Sequence, residues 1–337
     1  MKNTIFDRYH FLHKYFRMFA NFINKIRYEP GLVIFLVSWF IINLIQSAFT
    51  GIFNDEAYYW MYSENLDWGY FDHPPMIALL IKIGYLIFPN QLGVRFITVV
   101  LSTLTLYFIY KLIDHEKKSV KWFIIITTSI ILVHSHVCGF IAIPDSPLIF
   151  FTVIFFHLYK KFIQNESYTN TILLAIVIAL MLYSKYHSVL VLFFTILSNW
   201  KIILKTRFWL IAIVSLALFS PHIYWQIVND FPSLKYHLSE RLDAYTIKHT
   251  INFIYSQILV AGPLIGVILI FFAFKYKPKN RLENALKFTL IGFYLFFFLS
   301  SFKGHTEAHW TAIAIIPLVI LAFQEILDKP KILKWCQ

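Results

Sequence analysis

The stretch Pro74-Pro75-Met76-Ile77-Ala78-Leu79-Leu80-Ile81-Lys82-Ile83-Gly84-Tyr85-Leu86-Ile87-Phe88-Pro89 decides how the whole chain is read. The run at 76–89 is apolar, yet it holds 14 residues where a spanning helix needs roughly 20. It also follows two prolines and carries Lys82. These features suit an interfacial or re-entrant helix rather than a crossing. Whether it crosses matters beyond its own length, because one crossing more or fewer reverses the side of every later loop.

Further apolar runs lie at about 31–49, 94–113, 121–138, 147–162, 171–184, 187–204, 208–225, 251–274, 286–301 and 310–326. With 76–89 set aside, about ten transmembrane helices are expected. Composition agrees: 58% of the 337 residues are hydrophobic and 14% charged, with a mean hydropathy of +0.63. That is too apolar for a soluble domain with a solvated surface. The expected fold class is therefore an all-α polytopic membrane protein with an extra helix in its first outer loop.

Charge placement tests this count. In the ten-span arrangement 23 of the 30 Lys and Arg residues fall in cytoplasmic segments, as the positive-inside rule requires. Both termini are then cytoplasmic: a basic tail over 1–28, a membrane domain over 29–328 containing the outer loop 50–94, and a tail over 329–337. The first 28 residues contain Lys2, Arg8, Lys14, Arg17, Lys25 and Arg27 and lead into an apolar stretch without a small-residue cleavage site, which predicts a retained first helix. The formal net charge of +12 thus sets topology, and no nucleic-acid partner is expected. Cys138 and Cys336 fall on opposite sides, supporting neither a disulfide nor a zinc motif.

The outer side then collects the residues able to do chemistry. The first loop runs Asp55-Glu56-Ala57-Tyr58-Tyr59-Trp60, then Gly69-Tyr70-Phe71-Asp72-His73-Pro74-Pro75. Asn54 or Asp55 can cap a helix lying along the interface, its aromatic residues at headgroup level. Adjacent carboxylates there could deprotonate an incoming hydroxyl or amine, or hold a divalent ion with Asp72; capping by Asp55, with Glu56 favouring the helix dipole, is the plainer reading. His73 could contact a phosphate, or simply be a wet histidine before a proline-started helix. Asp145 sits in the turn Pro144-Asp145-Ser146-Pro147, and Lys185 interrupts an apolar hairpin, where it either clamps phosphate or snorkels. Arg241 in the loop 226–249 suits bidentate phosphate contact or plain solvation. His134 and His136 point apart on a helix, and His305, Glu307 and His309 lack the spacing of a zinc site.

Taken in order, Asp55-Glu56-Ala57-Tyr58-Tyr59-Trp60, Gly69 to Pro75, Gly93-Val94-Arg95-Phe96 and Pro144-Asp145-Ser146-Pro147-Leu148 resemble the GT-C class of membrane glycosyltransferases. The nearest likeness is to the branch holding protein O-mannosyltransferases and bacterial aminoarabinose (lipid A) transferases. It covers roughly the first 200 residues, with fainter echoes at Lys303 and His309-Trp310-Thr311-Ala312.

The resemblance implies a polyprenyl-phosphate sugar as donor and transfer, with inversion, on the outer face of a bacterial inner membrane to a lipid, glycan or protein acceptor. It implies Asp55 as the catalytic carboxylate with Glu56 beside it, and Asp145 as an acid of the same cavity. Where the aminoarabinose branch carries a lysine before the double proline, this chain has His73, which leaves the permanent charge on the donor phosphate to Lys185 or Arg241. No cofactor is demanded, although a divalent metal is compatible with the acids. The competing class is a transporter or flippase of lipid-linked sugars. Such proteins tend to carry repeated halves and midplane ionisable groups, and neither feature is visible in the sequence.

Overall fold

The computed structural model describes residues 29–130, 139–236, 245–263 and 265–329. Arg241, Cys138, Cys336, His134, His136, the tail 1–28 and residues 330–337 lie outside these residues. The described elements are helical: α1 (Pro30–Phe49), α2 (Asn54–Glu64), α3 (Met76–Ile87), α4 (Gln91–Leu112), α5 (Val120–Thr128), α6 (Asp145–Gln164) and α7 (Tyr168–Ser184). Then follow α8 (Ser188–Ser198), α9 (Thr206–Val228), α10 (Pro232–Lys235), α11 (Ile247–Ala261), α12 (Ile265–Lys275), α13 (Arg281–Ser300) and α14 (Ile315–Leu327). A 3-10 turn, Trp200–Leu204, follows α8, and another, Ala308–Ala314, leads into α14.

Among the described residues six helices are long and apolar enough to cross a membrane, namely α1, α4, α6, α9, α13 and the stretch Ala308–Leu327. The pair α11 and α12 makes a seventh if it counts as one broken span, bent by 98°. The expected ten is therefore not reached by length and composition alone. The run at 187–204 divides at Asn199 into an 11-residue helix and a 3-10 turn, and the run at 251–274 breaks at Gly262. Gly262 takes φ +98°, a backbone region that favours glycine, and a Cβ there would stand 2.8 Å from the Ser129 carbonyl oxygen. The stretch 76–89 forms the short helix α3, with Pro75 at its N-cap.

Burial grades from rim to centre. Helix α1 presents Ile34, Val37, Ile41, Ile42 and Ile45 outward, as a lipid-facing helix does, whereas Val319, Leu321 and Phe323 of α14 are 0% exposed. Helix α14 packs against α4, α5, α12 and α13.

Ion pairs and hydrogen bonds tie the helix ends into two sets. At one end Lys111 meets Glu29 (3.6 Å), Lys160 meets Asp114 (2.7 Å), Asp328 meets both His115 and Lys279 (3.0 Å each), and Lys205 meets Glu166. This is the end at which the basic helix flanks gather. The loop of Asp55, the N-terminus of α6 and the C-terminus of α7 lie at the other.

Candidate active site

Helix α2 is built around Glu56. Its carboxylate accepts the Phe53 N–H (3.0 Å), the Ala142 N–H (2.9 Å) and the Arg95 Nε–H (2.8 Å), and pairs again with Arg95 through Nη2. Both side chains are 0% exposed. Arg95 also donates to the carbonyls of Thr50 (2.6 Å) and Gly51 (2.7 Å), and its guanidinium faces the rings of Phe53 and Phe140. One ion pair thereby joins the end of α1, the start of α2, helix α4 and the second loop. The cap of α2 differs from the expected one: Phe53 is the N-cap residue, and Glu56, three residues on, supplies the capping carboxylate in place of Asn54 or Asp55.

That arrangement separates the two neighbouring acids. Glu56 is consumed by its partners, while Asp55 is exposed and has no side-chain partner among the described residues. One turn on, the Tyr59 hydroxyl shows what converges here. Burial pushes its pKa up, and the charges of Asp72, Asp145 and Asp55 push it further, in that order. Carboxylates far apart in sequence thus act on one buried hydroxyl.

Asp72 accepts from the hydroxyls of Tyr58 (3.2 Å) and Tyr62 (3.3 Å) and stands 3.7 Å from His73 Nδ1. The His73 ring stacks on Tyr59, with centroids 5.6 Å apart. Asp145, 2% exposed, receives Lys185 Nζ at 2.7 Å and has His309 Nε2 at 3.9 Å. Lys185 is itself 5% exposed, so it turns inward rather than snorkelling. The structure therefore brings Asp55, Glu56, Asp72, His73, Asp145 and Lys185 to one end of the helices. Asp55, Glu56 and Asp72 are not assembled as a ligand set: no group of three His, Cys, Asp or Glu among the described residues is placed to hold a metal ion.

The rest of the first loop is strapped onto α9 and α10. His222 Nδ1 bonds the Trp68 carbonyl (2.7 Å), the Trp225 indole N–H donates to Asp67 (2.7 Å), and Ser233 Oγ donates to the Tyr70 carbonyl (2.8 Å). A Cβ on Gly69 would lie 2.4 Å from the Trp225 ring, so glycine lets the strap close.

Sequence reasoning assigned no role to Arg95, His222 or Trp225 and set His309 aside. Arg95 carried a usable signal, since an arginine inside an apolar run must find a buried partner. His309 carried none, because its approach to Asp145 spans 164 positions of chain.

Three comparisons bear on this arrangement. A model of the family Dolichyl-phosphate-mannose-protein mannosyltransferase matches residues 72–225. The Lipid A galacturonosyltransferase RgtD of Rhizobium johnstonii is 46% identical over 56 residues, 16% of this chain and 12% of that protein. ArnT from Cupriavidus metallidurans shares the fold: its apo structure aligns with a TM-score of 0.65 at 15% identity over 91% of this chain, and its complex with undecaprenyl phosphate with 0.69 at 13% over 92%. The chain spans 61–62% of the length of those ArnT chains. The resemblance to the GT-C class, in its ArnT-like branch, holds in sequence segments and in fold.

Proposed function

We propose that this GT-C-like chain is a membrane glycosyltransferase that moves a sugar from a polyprenyl phosphate to a lipid acceptor at the end of the helices carrying Asp55. The observation that carries the reading is the unequal treatment of two adjacent acids. Glu56 is locked in a buried ion pair that fixes the loop, and this leaves Asp55 exposed on a rigid helix start within electrostatic reach of the same Tyr59 as Asp72 and Asp145. A general base needs that combination of rigid support and access. The galacturonosyltransferase and undecaprenyl-phosphate relatives support the substrate class.

In this reading Asp55 accepts the proton of an acceptor hydroxyl or amine as its oxygen or nitrogen attacks the anomeric carbon. The bond from that carbon to the phosphate oxygen breaks, polyprenyl phosphate leaves with the electron pair, and the configuration inverts. Lys185, His73 and Arg241 hold the phosphate as charge develops on it. Asp145 acts through Lys185 as a positioning residue, and Glu56 positions the Asp55 loop through Arg95. The same reading takes the chain as ten-spanning in a bacterial inner membrane, both termini cytoplasmic, with α3 lying outside the set of crossings.

The test is Asp55→Asn in proteoliposomes supplied with a polyprenyl-phosphate sugar. Transfer should fall by roughly 10²–10⁴-fold, the usual range for a lost general base, while the protein stays folded and inserted. Undiminished transfer would remove Asp55 from the chemistry. Transbilayer movement of an unconsumed donor would replace the transferase reading with a flippase.

A further inference from the structure

An apolar cavity of about 260 Å³ lies among α6, α7, α8 and α9, with Phe155, Leu174, Leu192, Ile202, Phe208 and Ile211 in its wall. It is far larger than the roughly 30 Å³ that one water occupies in the liquid, and cavities of this character stay dry and take apolar guests. Ser215, which also lines it, turns its hydroxyl to the carbonyls of Ala175 (3.0 Å) and Ile211 (2.8 Å) and so adds no polar surface. Leu216 is part of the wall and 54% exposed, which carries the cavity out to the lipid-facing surface. Thr195, 4% exposed and in the same wall, keeps a hydroxyl with no hydrogen-bond partner among the described residues.

The cavity runs from Leu182, three residues before Lys185, toward Ile202 and Phe208 at the end of the bundle remote from Asp55, where the chain concentrates positive charge. Lys201, Lys205 and Arg207 fall within seven residues, and the acid that meets them, Glu166, is taken by Lys205. Arg207 stands one helical turn before Ile211 of the wall. It stacks over Tyr168 at 3.9 Å, and its Nη1 is buried with no hydrogen-bond partner among the described residues. A buried guanidinium N–H without an acceptor is costly. Trp200 and Trp209, each 57% exposed, flank the same region as residues at a membrane interface do.

We propose that this is a binding site for an anionic glycerophospholipid, with one acyl chain in the cavity and the phosphate on Arg207 and Lys201. Charge complementarity selects an anionic headgroup, and the apolar wall selects a chain. A polyprenyl phosphate held at Lys185 does not place its phosphate on Arg207. Helix α6, with 20 residues at about 1.5 Å each, puts roughly 30 Å between Asp145 and its own C-terminal end, beside which Tyr168 and the Arg207 stacked on it lie. The site is independent of the transfer reading, since its readout is lipid retention.

Purified protein is equilibrated with mixed phosphatidylglycerol and phosphatidylcholine vesicles, washed in detergent, and weighed with its retained lipids by native mass spectrometry. The wild type should retain one phosphatidylglycerol in preference to phosphatidylcholine. Arg207→Gln should weaken that retention about fivefold, the effect of one lost surface cation. Leu216→Trp, which fills the mouth from an exposed position and spares the fold, should abolish retention of both lipids. Equal retention of the two lipids by the wild type, undiminished phosphatidylglycerol on Arg207→Gln, or displacement by added polyprenyl phosphate at equal concentration would each overturn the proposal.

Discussion

Arg95 donates its Nε–H to Glu56 at 2.8 Å with neither side chain exposed, and that pair holds together four segments of chain. Burying two charges is expensive, so the pair adds less to stability than to the geometry it imposes. Arg95→Met leaves a buried carboxylate without its cation and is expected to cost about 3–5 kcal/mol. Replacing both partners with apolar residues of similar volume should recover much of that loss, because no charge is then stranded. Thermal unfolding of the single and double variants in detergent measures the difference. A loss in the double variant equal to the sum of the two single losses would mean that the pair is not coupled.

Helices α3 and α4 touch backbone to backbone. A Cβ on Gly93 would stand 1.8 Å from the Phe88 carbonyl oxygen, and one on Gly84 would stand 2.2 Å from that of Gly93. No side-chain motion relieves a clash with backbone. Gly93→Ala should therefore force α3 away from α4 and destabilise the protein by at least the ~1–3 kcal/mol typical of overpacking. Gly51→Ala, where a Cβ meets nothing within 4 Å, is the control. Unfolding midpoints of the two variants should separate clearly.

The strap over α9 makes a related prediction. Gly69→Ala sets a Cβ against the Trp225 ring, and Trp225→Phe removes the donor to Asp67. Either change should loosen residues 67–70, read as faster amide hydrogen exchange in that loop than in α6. Unchanged exchange would show that the remaining bonds of His222 and Ser233 suffice.

The helical, membrane-spanning character was legible because composition and run length report it directly. The convergence of Asp55, Asp72 and Asp145 was legible because parity of crossings places loops on sides. Partner choice was not. Glu56 and Asp55 are adjacent and chemically alike, and partners as distant as Arg95, 39 positions away, and Ala142 separate their fates. Lys185 read as a free cation because its partner Asp145 lies 40 positions back. The crossings also lost regularity where local backbone needs outweigh hydropathy, as at Asn199 and Gly262.

At the basic end, burial first and the neighbouring Lys111 second pull the Lys118 ammonium down to about 8, where it lies 3.8 Å from the Tyr110 ring centroid. A lysine whose folded pKa is depressed binds fewer protons folded than unfolded between about 8 and its ordinary value. Stability should therefore rise as pH increases through that window. The wild-type melting temperature should climb from pH 8 to pH 10, and Lys118→Met should flatten the climb. Identical slopes would assign it to other groups.

Lys185 and Asp145 can each be removed separately. Their 2.7 Å contact is buried, and His309 approaches the same carboxylate at 3.9 Å. If Asp145 acts only by orienting Lys185, Asp145→Asn should raise the KM for the polyprenyl-phosphate donor while lowering kcat little. A lost general base would instead lower kcat by roughly 10²–10⁴-fold. Lys185→Met should raise the donor KM further and also lower kcat, because a cation on the leaving phosphate acts most strongly as charge develops. Lys185→Arg keeps the charge and should restore part of both parameters, which a merely structural loss would not allow. Steady-state kinetics of the three variants separates the roles, and a kcat collapse in Asp145→Asn at unchanged KM would move Asp145 from positioning into the chemistry itself.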